Sequence, residues 1–366
     1  MVNSKYIFLL VIGSIIGLLI NFKCIAQSSD KPAFKLFLIG DAGDGDSTGV
    51  TLRDLKIQLM NNPNSAVIFL GDNCYIKPYF FLPLQIGGYD GSNRAKRRIL
   101  SQLEILNGYK GFAYFIPGNH DWWNLINIKK GKKRLHDEQL FIEEFLSKNK
   151  SLKNSKSEIF LPSDGNPGPI SKDFNNGKTR IIYIDTYRLI IEEGKRRLKD
   201  SILLDNFYKE LKIQLTDATN KREKIIVVGH HPIHAKGKHS LPLVFLERLN
   251  RRFADSNTNY PPYNKMSVRL DSLLKEHHHP DIYYVSGHEH SLEYFFNDSL
   301  HYLISGAGSK IDNVKYKSVE NAEEYLIWNE EGFFEIDFYG RKETVLMYHR
   351  KDKNSELKVH CLSGCD

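Results

Sequence analysis

Five times along this 366-residue chain, an apolar run of strand type stops at a glycine and passes at once into residues able to hold a metal. Lys35-Leu-Phe-Leu-Ile39 leads into Gly40-Asp41, and Ala66-Val-Ile-Phe-Leu70 into Gly71-Asp72-Asn73. Phe112-Ala-Tyr-Phe-Ile116 passes through Pro117 to Gly118-Asn119-His120-Asp121. Lys224-Ile-Ile-Val-Val228 ends in Gly229-His230-His231-Pro232, and Asp281-Ile-Tyr-Tyr-Val-Ser286 in Gly287-His288-Glu289-His290. Continuous runs of β-branched and aromatic residues describe strands buried on both faces. Between them lie helical patterns, with Leu203, Phe207, Leu211 and Leu215 at four-residue spacing and Val268, Leu270, Leu273 and Leu274 as a second apolar face. Strands alternating with helices predict an α/β architecture. Sheets of this kind gather ligands at the carboxyl ends of their strands, and glycine there lets the backbone come close to a bound group.

From Tyr302 onward the pattern changes. The runs at Tyr302–Gly308, Glu324–Trp328, Gly332–Phe338 and Glu343–Tyr348 read as consecutive antiparallel strands, followed by a polar tail over residues 349–366. The other end looks like a leader, with a retained membrane anchor as the alternative reading. Lys5 precedes an apolar run from Tyr6 to Ile20, and Cys24-Ile25-Ala26 offers small residues before a polar segment, the layout of a removable signal over residues 1–26. The expected product is secreted or periplasmic, with a main domain over residues 27–348 and no stable membrane span once the signal is gone. Losing residues 1–26 removes Lys5 and Lys23 and no acid, so the formal charge falls from +7 to +5. Cys74, Cys361 and Cys365 then remain, too few for a disulfide framework, though Cys361 and Cys365 could close one small loop. Basic clusters at 94–98, 129–134 and 195–199 read as solvated faces, or as a means of drawing in anionic substrate. No nucleic-acid-binding module is recognisable, and none is expected as a partner.

Taken singly, each strand-end residue is weak evidence, since Gly-Asp is a common turn and most histidines are structural. The set is stronger. Asp41, Asp72, Asn119, His230, His288 and His290 combine carboxylate, amide oxygen and imidazole, the donor mixture of a two-metal hydrolytic site.

In kind and order, these five blocks resemble those of the calcineurin-like metallophosphoesterases, over residues 36–290. Two departures make the purple (tartrate-resistant) acid phosphatases the nearest resemblance. Most relatives carry Asp-x-His in the first block, whereas here the sequence is Asp41-Ala42-Gly43. The second block continues to Tyr75, three residues after Asp72, where the purple enzymes supply a tyrosine. The resemblance implies a four-layer α/β/β/α sandwich of two mixed sheets flanked by helices. It implies that Asp41, Tyr75 and His290 bind Fe(III), that Asn119, His230 and His288 bind a second ion (Fe, Mn or Zn), and that Asp72 bridges them. His120 and His239 would touch substrate or leaving group. Cys74 replaces the usual aromatic, and the stretches at 76–98 and 236–264 differ from the compact animal enzymes.

The implied activity is hydrolysis of small phosphate monoesters, with the ions holding phosphate oxygens and lowering the pKa of the attacking water. Two alternatives stand beside it. One is phosphodiester, nucleotide or pyrophosphate hydrolysis within the same superfamily; the other is a non-catalytic surface-binding protein that keeps its metals for stability.

Overall fold

The computed structural model describes residues 31–45, 49–75, 90–122, 128–195, 201–235, 259–279, 281–312, 324–339, 343–350 and 358–363. The expected leader, His239 and Cys365 lie outside them, so the export signal, the catalytic reading of His239 and the Cys361–Cys365 pairing do too.

Each apolar run of the five blocks forms a strand: β1 (Phe34–Ile39), β2 (Ser65–Phe69), β3 (Phe112–Phe115), β6 (Lys224–Val228) and β7 (Ile282–Ser286). They divide between two sheets. β1, β2 and β3 run parallel to one another in the first, and β6 and β7 run parallel in the second. Strand periodicity explains the layering, because successive side chains point to opposite faces. Leu36 and Leu38 of β1 enter the core between the sheets, together with Ala66, Ile68, Val228 and Val285. Phe37 and Ile39 point the other way, onto helices that contribute Leu52, Leu59, Leu135 and Ile142. The second sheet sends Ile182, Ile225 and Val227 outward onto Leu211, Leu215, Met266 and Leu270. Three apolar layers thus separate helix, sheet, sheet and helix, which is the sandwich expected.

Four strands escape the sequence reading: β4 (Ile170–Phe174), β5 (Thr179–Tyr183), β8 (Leu292–Asn297) and β13 (Lys358–Ser363). β5 is parallel to β6 and fully buried, but it ends in Asp185-Thr186 with no glycine to mark it. The carboxyl-terminal strands also correct an expectation, since they do not pair consecutively. β9 (Leu300–Ser305) is parallel to β7 and antiparallel to β8. β10 (Glu324–Trp328) joins the second sheet on β8, whereas β11 (Gly332–Tyr339) returns to the first on β1. Only β11 and β12 (Glu343–Arg350) keep the neighbouring antiparallel pairing. The sheets therefore read β13-β12-β11-β1-β2-β3 and β10-β8-β9-β7-β6-β5-β4. Apolar alternation specifies a strand but carries no information about which edge it joins.

The polar tail is likewise more ordered than expected. Lys358–Ser363 forms β13 on β12, and its Leu362 is buried in the core between the sheets. One apolar contact per two residues is enough for an edge strand but too sparse to stand out in sequence. On the helix Pro261–Lys275, Val268 is 57% exposed, and Tyr263 and Met266 complete the buried face instead. On the helix Ser201–Asn220 it is Leu204 that is buried with Phe207, Leu211 and Leu215. No helix among the described residues is long and apolar enough to cross a membrane.

Candidate metal centre

The carboxyl ends of the two sheets are stitched together by backbone hydrogen bonds. Gly40 N–H donates to Ser305 O at 2.7 Å and Gly308 N–H to Gly40 O at 3.1 Å across the sheets, while Asp41 N–H meets Gly71 O within the first and Gly287 N–H meets His230 O within the second, both at 3.0 Å. This brings all five blocks to one place. Asp41, Asp72 and His288 sit there with φ of 58°, 51° and 70°, in the left-handed region. Each such residue costs roughly 1 kcal/mol or more, and clustered strain of this kind marks functional sites.

Two groups of donors result. In the first, Tyr75 Oη donates to Asp41 Oδ1 at 2.6 Å and lies 3.1 Å from His290 Nε2. In the second, Asn119 Oδ1 lies 3.1 Å from His230 Nε2 and 3.2 Å from His288 Nδ1. Asp72 lies between them: its charge acts on the Tyr75 phenol on one side, and its Oδ1 is 3.3 Å from His230 Nε2 on the other. Asp41, Asp72 and His230 offer donor atoms all within 4.8 Å of one another, and so do His230, His231 and His288. The seven residues expected as ligands are thus brought together, with Asp41, Tyr75 and His290 on one side of Asp72 and Asn119, His230 and His288 on the other.

The donor chemistry fits cations. His230 Nδ1 faces the Leu70 carbonyl at 2.8 Å, so that nitrogen carries a hydrogen, and Nε2, which faces Asn119 and Asp72, is the atom a cation would take in exchange for its proton. His290 Nδ1 is held in the same way by Asp312 Oδ2 at 2.8 Å, leaving Nε2 to face Tyr75 and Asp41. In each group acceptors converge on one another, an arrangement that a positive charge relieves.

Why tyrosine stands here instead of the usual histidine is also visible. A Cβ at Gly43 would fall 2.5 Å from both Asp72 O and Cys74 N, so the first loop has no room for a side chain at that position. Tyr75 enters from the second loop, where its N–H reaches Gly43 O. Its ring is half sandwiched, with His120 at 4.6 Å between centroids and the Lys310 ammonium 3.0 Å from its own centroid. Gly118 is equally constrained, since a Cβ there would lie 2.3 Å from Asp72 N and Oδ1.

His120 closes the mouth of the site. Its N–H donates to Asp72 Oδ1 at 2.8 Å, its Nε2 is 3.9 Å from Asp72 Oδ2, and its side chain is 36% exposed. Burial holds its imidazole below the usual range, against the pull of the Asp72 carboxylate and with help from Lys310.

Several neighbours hold these donors in place, some of them inside the five blocks and some outside. Asp121 Oδ2 accepts from Gly118 N at 2.8 Å and from the Asn73 side chain at 3.2 Å, while Oδ1 accepts from Cys74 N at 3.1 Å. One carboxylate thereby locks the second and third loops together. Thr186 Oγ1 meets His231 Nδ1 at 2.8 Å, and the His231 and His288 rings lie 4.5 Å apart. Asp185 caps the helix Thr186–Glu193 by accepting from Arg188 N, and also takes the Trp122 indole N–H at 2.8 Å. Cys74 is a buried apolar neighbour whose thiol burial pushes up, away from thiolate chemistry. The basic clusters are not all solvated: Arg98 reaches into the first loop, with Nη1 2.8 Å from Gly45 O and Nη2 3.3 Å from Asp44.

The buried acids set a pH dependence with a definite sign. Burial raises the Asp41 carboxyl to about 6, and those of Asp121 and Asp185 to about 7. Burial alone would lower His230, but the Asp72 charge overrides it and lifts the imidazole to about 9. In all four the folded chain holds a proton that the unfolded chain has already released. Their contribution is complete below the unfolded pKa and is lost as pH rises through the folded one. Asp72, held well below its usual range by His230 and His120 against its burial, acts only under more acid conditions. The chelated, metal-free protein is therefore expected to melt at a higher temperature at pH 5 than at pH 8. Thermal unfolding across that range checks this, and a melting point that rises with pH would contradict it.

A family model described as calcineurin-like phosphoesterase matches residues 34–292. No curated protein matches the chain in sequence. Among solved structures, one described as GAP50, the anchor in the inner membrane complex of Plasmodium, aligns with a TM-score of 0.59 at 16% identity, covering 90% of this chain and 88% of its own. The purple acid phosphatase PPD1 of yellow lupin aligns at 0.57 and 13% identity, covering 89% of this chain and 53% of that one. A dimetal phosphatase from Danio rerio aligns at 0.50 and 14%, covering 91% and 99%. At these identities the likenesses establish the fold.

Proposed function

This chain belongs to the calcineurin-like phosphoesterase family, and from that premise we propose that it is an acid phosphatase hydrolysing small phosphate monoesters at an iron-containing two-metal centre. The observation that carries the reading is the pair of donor groups joined by Asp72, with Tyr75 entering where Gly43 leaves no room for a side chain. Asp41, Tyr75 and His290 would hold Fe(III), since carboxylate and phenolate are hard anionic donors. Asn119, His230 and His288, with a neutral amide and two imidazoles, would hold Fe, Mn or Zn, and Asp72 would be shared. Bound there, two ions supply charge for the phosphate oxygens and an acidic water.

The remaining steps belong to side chains. Asp121 keeps the Asn73 and Gly118 loops fixed, so that Asp72 and Asn119 are held ready before substrate arrives. His120, at the mouth and partly exposed, is placed to hold a proton at Nε2 for the departing alkoxide. Because burial lowers its pKa, it carries that proton only in acid, which supports an acid optimum. His239 takes the same role by resemblance.

The test is a comparison of substrates by iron-loaded protein at pH 5 and pH 8. An aryl phosphate monoester is expected to be cleaved at least about tenfold faster than the bis-aryl diester, and faster at pH 5. Preference for the diester would make the protein a phosphodiesterase of the same family. No turnover of either would favour a binding role, such as the one described for its structural neighbour, the anchor of an inner membrane complex.

A further inference from the structure

A cavity of about 1010 Å³ opens between the loop Ser163–Gly168, the helix Thr186–Glu193 and the helix Ser201–Asn220, and none of the metal-centre residues lines it. Arg188 forms part of its wall and is only 7% exposed. Its Nη2 lies 2.5 Å from Glu192 Oε1, but its Nε and Nη1 have no hydrogen-bond partner among the described residues. A buried guanidinium with two unmade hydrogen bonds is a costly arrangement, and such groups in native structures generally await a ligand, an ion or a water. Glu192 cannot complete the pairing, because it also accepts from Lys195 Nζ at 2.5 Å through both of its oxygens.

A second cation adds to the field. Lys132 lines the same cavity, and its ammonium is held below the usual lysine range by burial and then by Arg188. Two acids also line the cavity, and both are engaged: Asp164 by His136 at 2.7 Å, and Glu210 by the Gln214 side-chain N–H at 3.1 Å. The opposite wall is of another character. Ile202 and Ile213, on one stripe of the helix Ser201–Asn220, are among the most exposed large apolar side chains of the described residues, at 62% and 52%. Phe207 backs them. Cationic floor and aliphatic wall together define an amphiphile of one sign.

We propose that this cavity binds a small amphiphilic oxyanion, a carboxylate or phosphate on an aliphatic chain, with its head on Arg188 and Lys132 and its tail along Ile202 and Ile213. A charge-assisted hydrogen bond to an otherwise unpartnered group is worth roughly tenfold or more in affinity. The aliphatic chain contributes in proportion to the apolar area it covers.

Decanoate and decanol, titrated calorimetrically into the metal-loaded protein, provide the test, and substitutions at Lys132 and Ile213, which line this cavity and not the metal centre, tell binding here from binding there. Decanoate is expected to bind one equivalent at least about tenfold more tightly than decanol. Lys132→Gln should reduce the decanoate affinity severalfold and leave that of decanol unchanged, whereas Ile213→Asp should weaken both. These two positions are half-exposed or exposed, so both variants should fold, and their melting curves verify it. Arg188→Gln is the stronger test where it folds, with the charge preference expected to vanish. Decanoate binding no better than decanol, or unaltered by both Lys132→Gln and Ile213→Asp, overturns the proposal. Either outcome leaves the phosphatase reading untouched.

Discussion

Asp72→Ala, loaded with metal alongside the parent chain, is expected to retain less than one ion per chain and to lose at least about 10³-fold in kcat/KM on an aryl phosphate. The reason lies in the position of Asp72 between the two donor groups, where His230 reaches it and its charge acts on Tyr75. Without its carboxylate, neither group has the shared anion, and the pocket loses the charge that draws His230 up to about 9. One lost ion removes several kcal/mol of charge stabilisation, and each 1.36 kcal/mol is a factor of ten. Alanine also tolerates the left-handed backbone at this position less well than aspartate does, because it has no polar side chain to bond locally. Asp72→Asn separates the effects: it keeps an oxygen for the His120 N–H and most of the shape, yet should still lose the bridge. Metal analysis with steady-state kinetics measures both. A folded variant that keeps two ions and parental turnover would sink the assignment of the bridge.

The second large effect is optical. Iron-loaded protein, oxidised, is expected to be purple to pink through charge transfer from the Tyr75 phenolate, and Tyr75→Phe to be colourless with weaker ferric binding. In the protein as folded, burial and the Asp41 and Asp72 charges keep the Tyr75 phenol protonated, with its hydrogen directed at Asp41 Oδ1. The colour should therefore arise only as Fe(III) displaces that hydrogen, with release of a proton on loading. Phenylalanine keeps the ring that packs on His120 and under Lys310, so the fold should survive while the oxygen ligand is lost. Visible spectra before and after iron addition decide the matter. A colourless parent protein, fully active with two divalent ions, would remove the ferric reading and leave the family assignment intact.

The metal centre was largely legible from the chain because its donors are local. Asp41, Asp72, Asn119, His230 and His288 lie within four residues of a strand end, and a buried strand announces itself by an unbroken apolar run. The neighbours that position these donors were not legible in the same way. Asp121 locks two loops because Asn73 and Cys74, 48 and 47 residues away, present N–H groups to it. Thr186 follows a strand with no glycine at its end, so nothing local distinguished it from a surface threonine until His231 stood beside it. The basic clusters carried the opposite hazard, for the same charge pattern put Lys133 on the surface, Lys132 in a cavity wall and Arg98 against the first loop.

By itself, the sequence determined the layered α/β class, the strand ends that converge and the types of donor they deliver. Those are properties of local backbone preference and apolar periodicity, which act over a few residues. Only the tertiary structure decided how β8 to β13 distribute themselves between the sheets, since any of these strands has the hydrogen-bonding edge to join either. It likewise decided how the donors divide into two groups, because Asp41 meets His290 across 249 positions of chain and Asn119 meets His230 across 111. Proximity over such separations arises only when two sheets close on a common core, and that same closure buries the acids that a bound cation would relieve.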